Sequence, residues 1–168
     1  TLTKVDNKDH IMYLLGDMHL AKRNNDLSQF ADFTSDLQKQ VNANKAKRQY
    51  ALTLGDMTWD LYWYDNTYDL YNYVETINGS LNGLQIFHTI GNHDHEMKMA
   101  GDFNTVNVYK KAVGPTYYSF NIGDVHYVVL DNILCTNDGS GSRTYDSSLT
   151  TDQVEWLRKD ISYVDKSK

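Results

Sequence analysis

Three short stretches of this 168-residue chain carry residue types that can hold cations and move protons: Asp17-Met18-His19, Gly55-Asp56 and Gly91-Asn92-His93-Asp94. A carboxylate and an imidazole two positions apart can both reach one metal ion from the end of a strand. A carboxylate such as Asp56 can span two ions with its two oxygens. Spacing alone discriminates poorly: with 19 Asp and 6 His, about 0.7 Asp-x-His matches arise by chance, and Asp124-Val125-His126 is one more such match. Gly-Asp is commoner still, recurring at Gly101-Asp102 and Gly123-Asp124. Gly91-Asn92-His93-Asp94 is different, with roughly 0.004 chance occurrences in a chain of this composition.

Each of the three stretches closes an apolar extended run: Ile11 to Leu15, Tyr50 to Leu54, and Gln85 to Ile90. These read as strands that stop at their glycines. Between the first two, Leu27, Phe30, Leu37 and Val41 are spaced for one face of a helix over Asp26 to Lys45, with Asn25 or Asp26 as its cap. Between the second and third, Tyr71, Val74 and Ile77 predict a helix ending near Asn78-Gly79. Strand-helix-strand units with right-handed crossovers bring all three strand ends to one edge of a parallel sheet, where open α/β sheets bind ligands.

Beyond Asp94 the texture changes. Asp102 to Val113 predicts a short helix stopped by Gly114-Pro115, which contains the only proline. Tyr117 to Phe120 and Val125 to Leu130 flank the turn Asn121-Ile122-Gly123-Asp124 and predict an antiparallel hairpin. Asn132 to Ser148 reads as a long loop. Thr150-Thr151-Asp152-Gln153 fits a capping box opening a last helix, with Val154, Leu157, Ile161 and Val164 as its buried stripe.

Taken in order, Asp17-Met18-His19, Gly55-Asp56 and Gly91-Asn92-His93-Asp94 resemble the motifs of the calcineurin-like metallophosphoesterases. Tyr117 to Phe120, Val125 to Asp131, and Leu149 to Leu157 with Gln153, Glu155 and Trp156 resemble that family's later strand pair and helix. The resemblance implies an α/β fold, a two-sheet sandwich flanked by helices (α/β/β/α), and a site for two divalent ions such as Mn, Fe or Zn. It also implies that Asp17 and His19 hold one ion, Asp56 bridges, Asn92 holds the second through its amide oxygen, and His93 acts on substrate without binding metal. An imidazole is the side chain that titrates nearest neutrality and suits general acid work. The activity implied is hydrolysis of a phosphate ester, mono- or diester, by a metal-activated water.

Two departures accompany the likeness. The family has a further His on a later strand and a Gly-His-x-His near its end, and neither is found before Lys168. Its second motif often reads Gly-Asp-x-x-Asp, whereas Asp60 follows Asp56 by four positions, so Asp60 receives no role. With Thr at position 1, these gaps lead to the expectation that residues 1–168 are a partial catalytic domain, fold-incomplete at the C-terminus, continuous with further C-terminal sequence and weakly active alone. A degenerate binding or scaffold module and a hydrolase of non-phosphate bonds stay open as other readings.

Composition narrows the partners. Forty per cent hydrophobic residues suffice for a core, and the net charge of −6 with scattered Lys and Arg offers no nucleic-acid-binding stripe. The apolar runs are too short to span a bilayer, and the charged start, Thr1 to His10, is not a signal peptide. The non-Met start is compatible with export, which makes an extracytoplasmic location the expectation, and a cut chain would look the same. Cys135 is alone, which excludes an internal disulfide. The aromatic run Trp59, Tyr62, Trp63, Tyr64, Tyr68, Tyr71 and Tyr73 is expected to pack a helix on its sheet rather than wall a cleft. His10, His88, His95 and His126 are read as ordinary histidines, with His95 near enough to the site to be a rim residue. Asp131 is read as structural.

Overall fold

A computed structural model describes residues 9–65 and 68–166; most of the charged start lies outside them. Strands β1 (His10–Leu15), β2 (Arg48–Thr53) and β3 (Gln85–Phe87) form a parallel sheet in the order β1-β2-β3. Helices α1 (Asp26–Ala43) and α2 (Leu70–Ser80) make the two crossovers. Both cover the sheet face that carries Tyr13, Leu15, Ala51 and Ile86, where Phe30, Leu37, Leu70, Tyr73 and Ile77 complete the core. On α1 the buried and half-buried positions follow the expected stripe. On α2 the register is shifted: Tyr71 is half exposed, and Leu70, Tyr73 and Ile77 face inward. The cap explains the shift, because Asp69 accepts from the backbone N–H groups of Tyr71 and Asn72, while the Asn72 side chain accepts from Asp69 N–H.

The opposite face meets a second layer. Strands β4 (Tyr118–Ile122) and β5 (Val125–Val129) pair antiparallel around Gly123-Asp124. Phe120 stacks between Phe87, at 3.7 Å, and Tyr127, at 5.0 Å, and the Tyr118 hydroxyl joins the layers by accepting from His88 N–H and donating to His88 C=O. Among the described residues the layer is this hairpin, and Leu14 and Leu54 beside it are 61% and 53% exposed. On the hairpin's far side lies the last helix, here called α5 (Thr151–Ser162), tied down where Asp160 accepts from Ser119 Oγ and pairs with His126. The order α/β/β/α is that of a metallophosphoesterase fold.

Between Asp94 and α5 the structure is more regular than its sequence reads. The expected helix divides into α3 (Asp102–Thr105) and α4 (Asn107–Ala112), and the stretch read as a loop holds two short antiparallel strands, β6 (Ile133–Cys135) and β7 (Tyr145–Ser147). The capping box of α5 is half made. Thr150 Oγ1 accepts from Gln153 N–H, but the Gln153 side chain is used elsewhere, accepting from Asp131 N–H and donating to Asp131 C=O, each at 2.8 Å. Asp131 is buried with its Oδ1 accepting from Ile133 N–H, and burial pushes its carboxyl up to about 6. Ile161, placed in the stripe by its spacing, is 43% exposed. Among the described residues no helix is long and apolar enough to cross a membrane.

His88 gives the fold a pH dependence. Its ring is wedged against Tyr73, and burial pulls it down to about 4 from 6.5. Between these values the unfolded chain binds a proton that the folded one refuses, so stability falls as pH drops from 6.5 to 4, by up to about 3 kcal/mol. Urea unfolding at pH 7.5 and 4.5 is expected to show this component in the wild type and to lose it in His88→Gln.

Candidate metal centre

Pairing of β1 and β2 does not stop at the strand ends. Leu54 N–H donates to Leu15 C=O, Asp17 N–H to Gly55 C=O, His19 N–H to Asp56 C=O and Leu20 N–H to Met57 C=O, at 2.7 to 3.3 Å. The first two motifs therefore run side by side as an extension of the sheet. To turn their side chains inward, Asp17, His19 and Asp56 take left-handed backbone conformations with φ of 57°, 46° and 50°. This region costs most residues energy and is tolerated best by Asn and Asp.

The third motif is a turn of 3₁₀ helix, Asn92 to Asp94, docked on the second. Its Asp94 is fully buried and accepts from Gly91 N–H at 2.9 Å, Met57 N–H at 3.1 Å and Thr58 N–H at 3.5 Å. Burial raises the Asp94 carboxyl to about 7 despite these donors. In return, His93 N–H donates to Asp56 Oδ1 at 2.8 Å. The loops meet at glycines: a β-carbon on Gly55 would lie 2.7 Å from Gly91 Cα, and one on Gly91 would overlap Asp56 Oδ1 and N.

The resulting cluster gathers Asp17, His19, Asp56 and His93. His19 Nε2 lies 2.9 Å from Asp17 Oδ1 and 3.7 Å from Asp56 Oδ2. The His19 and His93 rings are 4.7 Å apart edge to face, and His19, Asp56 and His93 present donor atoms within 4.8 Å of one another. Asn92 is half-buried at the first position of the turn, directly before His93. Asp17 is 79% exposed, so the cluster opens to solvent on its side. His19 Nδ1 is buried without a hydrogen-bond partner. His19 Nε2 and the carboxylate oxygens of Asp17 and Asp56 that converge on it fit a borderline-hard divalent cation such as Mn, Fe or Zn.

Two neighbours lie against the cluster that the sequence reading did not place there: Asp60, given no role, and Trp59, expected to pack a helix on its sheet. Asp60, fully buried at the start of the 3₁₀ turn Asp60–Tyr62, faces His93 Nδ1 at 3.1 Å through Oδ1. A carboxylate offers only acceptors there, so Nδ1 carries the proton and Nε2 is the nitrogen left for the site. Trp59 sits edge-on to His19 and His93, at 5.3 and 5.6 Å, with the Arg23 guanidinium 4.2 Å over its ring and 5.3 Å from that of Tyr62. The aromatic run thus splits: Tyr68 and Tyr73 pack the core as expected, while Trp59 stands against His19 and His93 with Tyr62 edge-on behind it.

The remaining histidines lie outside the cluster. Asp124-Val125-His126 belongs to the hairpin, where His126 is held by Asn121 and Asp160. His95 is fully buried rather than on the rim. Its Nδ1 lies 3.1 Å from both Thr105 Oγ1 and Cys135 Sγ, and the Cys135 N–H donates to Asp102. His95, Asp102 and Cys135 also converge, with His95 Nδ1 shared between Thr105 and Cys135 and His95 Nε2 buried 3.8 Å from Asp131 Oδ1 without a hydrogen-bond partner.

An α/β/β/α fold with aspartate and histidine side chains gathered at the carboxyl ends of parallel strands is consistent with a metallophosphoesterase fold. A family profile for calcineurin-like phosphoesterases matches residues 12–167, and the chain belongs to that family. It is also similar to purple acid phosphatase 15 of Arabidopsis thaliana, with 30% identity over 84 residues, an alignment covering 44% of this chain and 14% of that protein. The chain therefore spans a small part of that relative's length.

Gly91→Ala is expected to push the Asp56 carboxylate off its seat and weaken Mn²⁺ binding by about 10- to 100-fold in calorimetric titration, the scale of losing a ligand's support. Gly79→Ala, with no atom within 4 Å of the added carbon, leaves binding unchanged and adds up to about 1 kcal/mol of helix stability.

Proposed function

We propose that the protein is a divalent-metal-dependent phosphoric ester hydrolase with a two-ion site. The observation that supports this most directly is the convergence of Asp17, His19, Asp56 and His93 from three strand ends on one open site. In this reading Asp17 and His19 hold one ion, Asp56 bridges and Asn92 serves the other through its amide oxygen. Divalent ions bound there supply Lewis acidity and neutralise phosphoryl charge.

The protein's own groups do the rest. Asp56 would help to hold the ions, its carboxylate already oriented by His93 N–H on Oδ1 while Oδ2 faces His19. In its doubly protonated form His93 gives the proton on Nε2 to the departing ester oxygen as the P–O bond breaks and keeps the one on Nδ1, and water supplies the oxygen that replaces the leaving group. Asp60 accepts from Nδ1–H throughout, so the ring keeps its orientation and the charge of its doubly protonated form is compensated before the proton leaves. Trp59 shields both imidazoles from bulk water on one side. Whether the substrate is a mono- or a diester is set by groups outside this cluster, and the likeness to a purple acid phosphatase favours a monoester.

The full-length protein, stripped with chelator, is expected to lose hydrolysis of an aryl phosphate and to regain it with Mn, Fe, Zn, Co or Ni. His93→Ala lowers kcat by about 10²- to 10⁴-fold with metal content unchanged. Turnover that survives chelation, or a metal-replete protein inert toward every phosphate mono- and diester tried, would refute the reading.

A further inference from the structure

An imidazole, a carboxylate and a thiol that the phosphoesterase reading does not use meet next to the third motif. His95 directly follows Asp94, Asp102 opens α3, and Cys135 ends β6. Each offers a ligand atom within 4.8 Å of the other two, and His95 Nδ1 is 3.1 Å from Cys135 Sγ. Nitrogen or oxygen bound at about 2.0 Å and sulfur at about 2.3 Å around a tetrahedral ion stand about 3.5 Å from one another, so the cluster is close to coordination spacing. Both His95 and Cys135 are buried.

The hydrogen bonds around His95 do not balance by themselves. Thr105 Oγ1 donates its proton to Asp102 C=O at 2.8 Å, so toward His95 Nδ1, 3.1 Å away, it offers only lone pairs. If Nδ1 carries the ring proton and donates to Thr105, Nε2 is a buried acceptor that no donor reaches. If Nε2 carries it, Nε2 is a buried donor whose facing carboxylate, Asp131 Oδ1, stands off at 3.8 Å. A fully buried group left unanswered calls for an ion, a water or strain to account for it.

We propose that His95, Asp102 and Cys135 form a second metal site, for one Zn²⁺ or a cation of its class, with a structural role. His95 gives the ion the lone pair of Nδ1, and Nε2–H faces Asp131, as the outer nitrogen of a metal-bound histidine faces a carboxylate. Asp102, oriented by Cys135 N–H on Oδ1 at 2.8 Å, lends a carboxylate oxygen. Cys135 binds as thiolate and its proton leaves to solvent. Two negative ligands and a dication sum to zero, the charge a buried site accepts best. Arg143, on the connection between β6 and β7, adds little repulsion, because it is ion-paired with buried Asp60. Thiolate with imidazole selects Zn over Mg, Ca or Mn. The ion ties α3 and β6 to the loop of the third motif, and the inference does not rest on the phosphoesterase reading.

Cys135 is the only cysteine of the chain, so sulfur ligation has a single source. The chain is titrated with Co²⁺ and the thiolate-to-cobalt charge-transfer band is followed in the near ultraviolet. The oxygen and nitrogen donors of Asp17, His19, Asp56 and His93 cannot produce that band. The wild type is expected to develop it to saturation and to lose it when Zn²⁺ is added, and Asp17→Asn is expected to leave it unchanged. Cys135→Ser is expected to abolish the band. Asp102→Asn, which keeps an acceptor for Cys135 N–H, and His95→Gln are each expected to weaken the affinity read from it by about 10- to 100-fold, at least the scale of losing a ligand's support. A wild type without the band, whether or not cobalt binds elsewhere, overturns the proposal. So does a band of unchanged affinity in Asp102→Asn, because the thiol would then be binding cobalt without its neighbours. Should His95→Gln not fold, the wild-type spectrum and Asp102→Asn decide.

Discussion

The reciprocal bonding between the second and third strand-end loops is the constraint on which the centre depends. Asp94 ties down the backbone of Met57 and Thr58 from one side, and the backbone of His93 ties down Asp56 from the other. Neither carboxylate position is independent of the other, and both depend on the absence of a side chain at Gly91. Asp94 is a costly anchor, since burial opposes its charge and only backbone N–H groups answer it. No long side chain could deliver Asp56 as narrowly as a backbone donor does, because the backbone loses no rotamer freedom in holding it.

The first loop is held differently. It continues the β1–β2 ladder beyond the sheet, so its donors inherit their register from ordinary parallel pairing. The site thus joins a donor pair positioned by sheet hydrogen bonds to one positioned by a buried carboxylate. His19 and His93 meet edge to face where the two systems touch, with Trp59 packed against both. Behind them a fully buried Asp60 collects His93 and Arg143, linking the parallel sheet's loops to the β6–β7 hairpin.

What the sequence made legible follows from periodicity and adjacency. The three parallel strands, both crossover helices, the β4–β5 hairpin and the donors at the strand ends are encoded by local patterns, and the structure contains them. The missed features depend on distant partners. β6 and β7 are three residues each, too short for alternation to register, and they exist because they pair with one another. Gln153 has the spacing of a capping residue, but its side chain answers two backbone groups of Asp131, whose position the local pattern does not carry. Asp60 fails a three-residue spacing by one, and a tight 3₁₀ turn brings it back to His93. Nothing near Arg143 in sequence marks it, since its partner is a buried acid on another element. Tyr71 is the opposite case, a periodic position displaced outward because the Asp69 cap sets where α2 begins.

The left-handed backbone at Asp17, His19 and Asp56 has an evolutionary corollary. At each of these positions glycine would relax a conformation that costs a side-chain-bearing residue on the order of 1 kcal/mol or more, and would delete a donor. Selection for thermal robustness alone would drift toward glycine at all three, erasing the centre while improving the scaffold. Aspartate and histidine at these positions therefore carry a standing cost in folding free energy that glycine would remove.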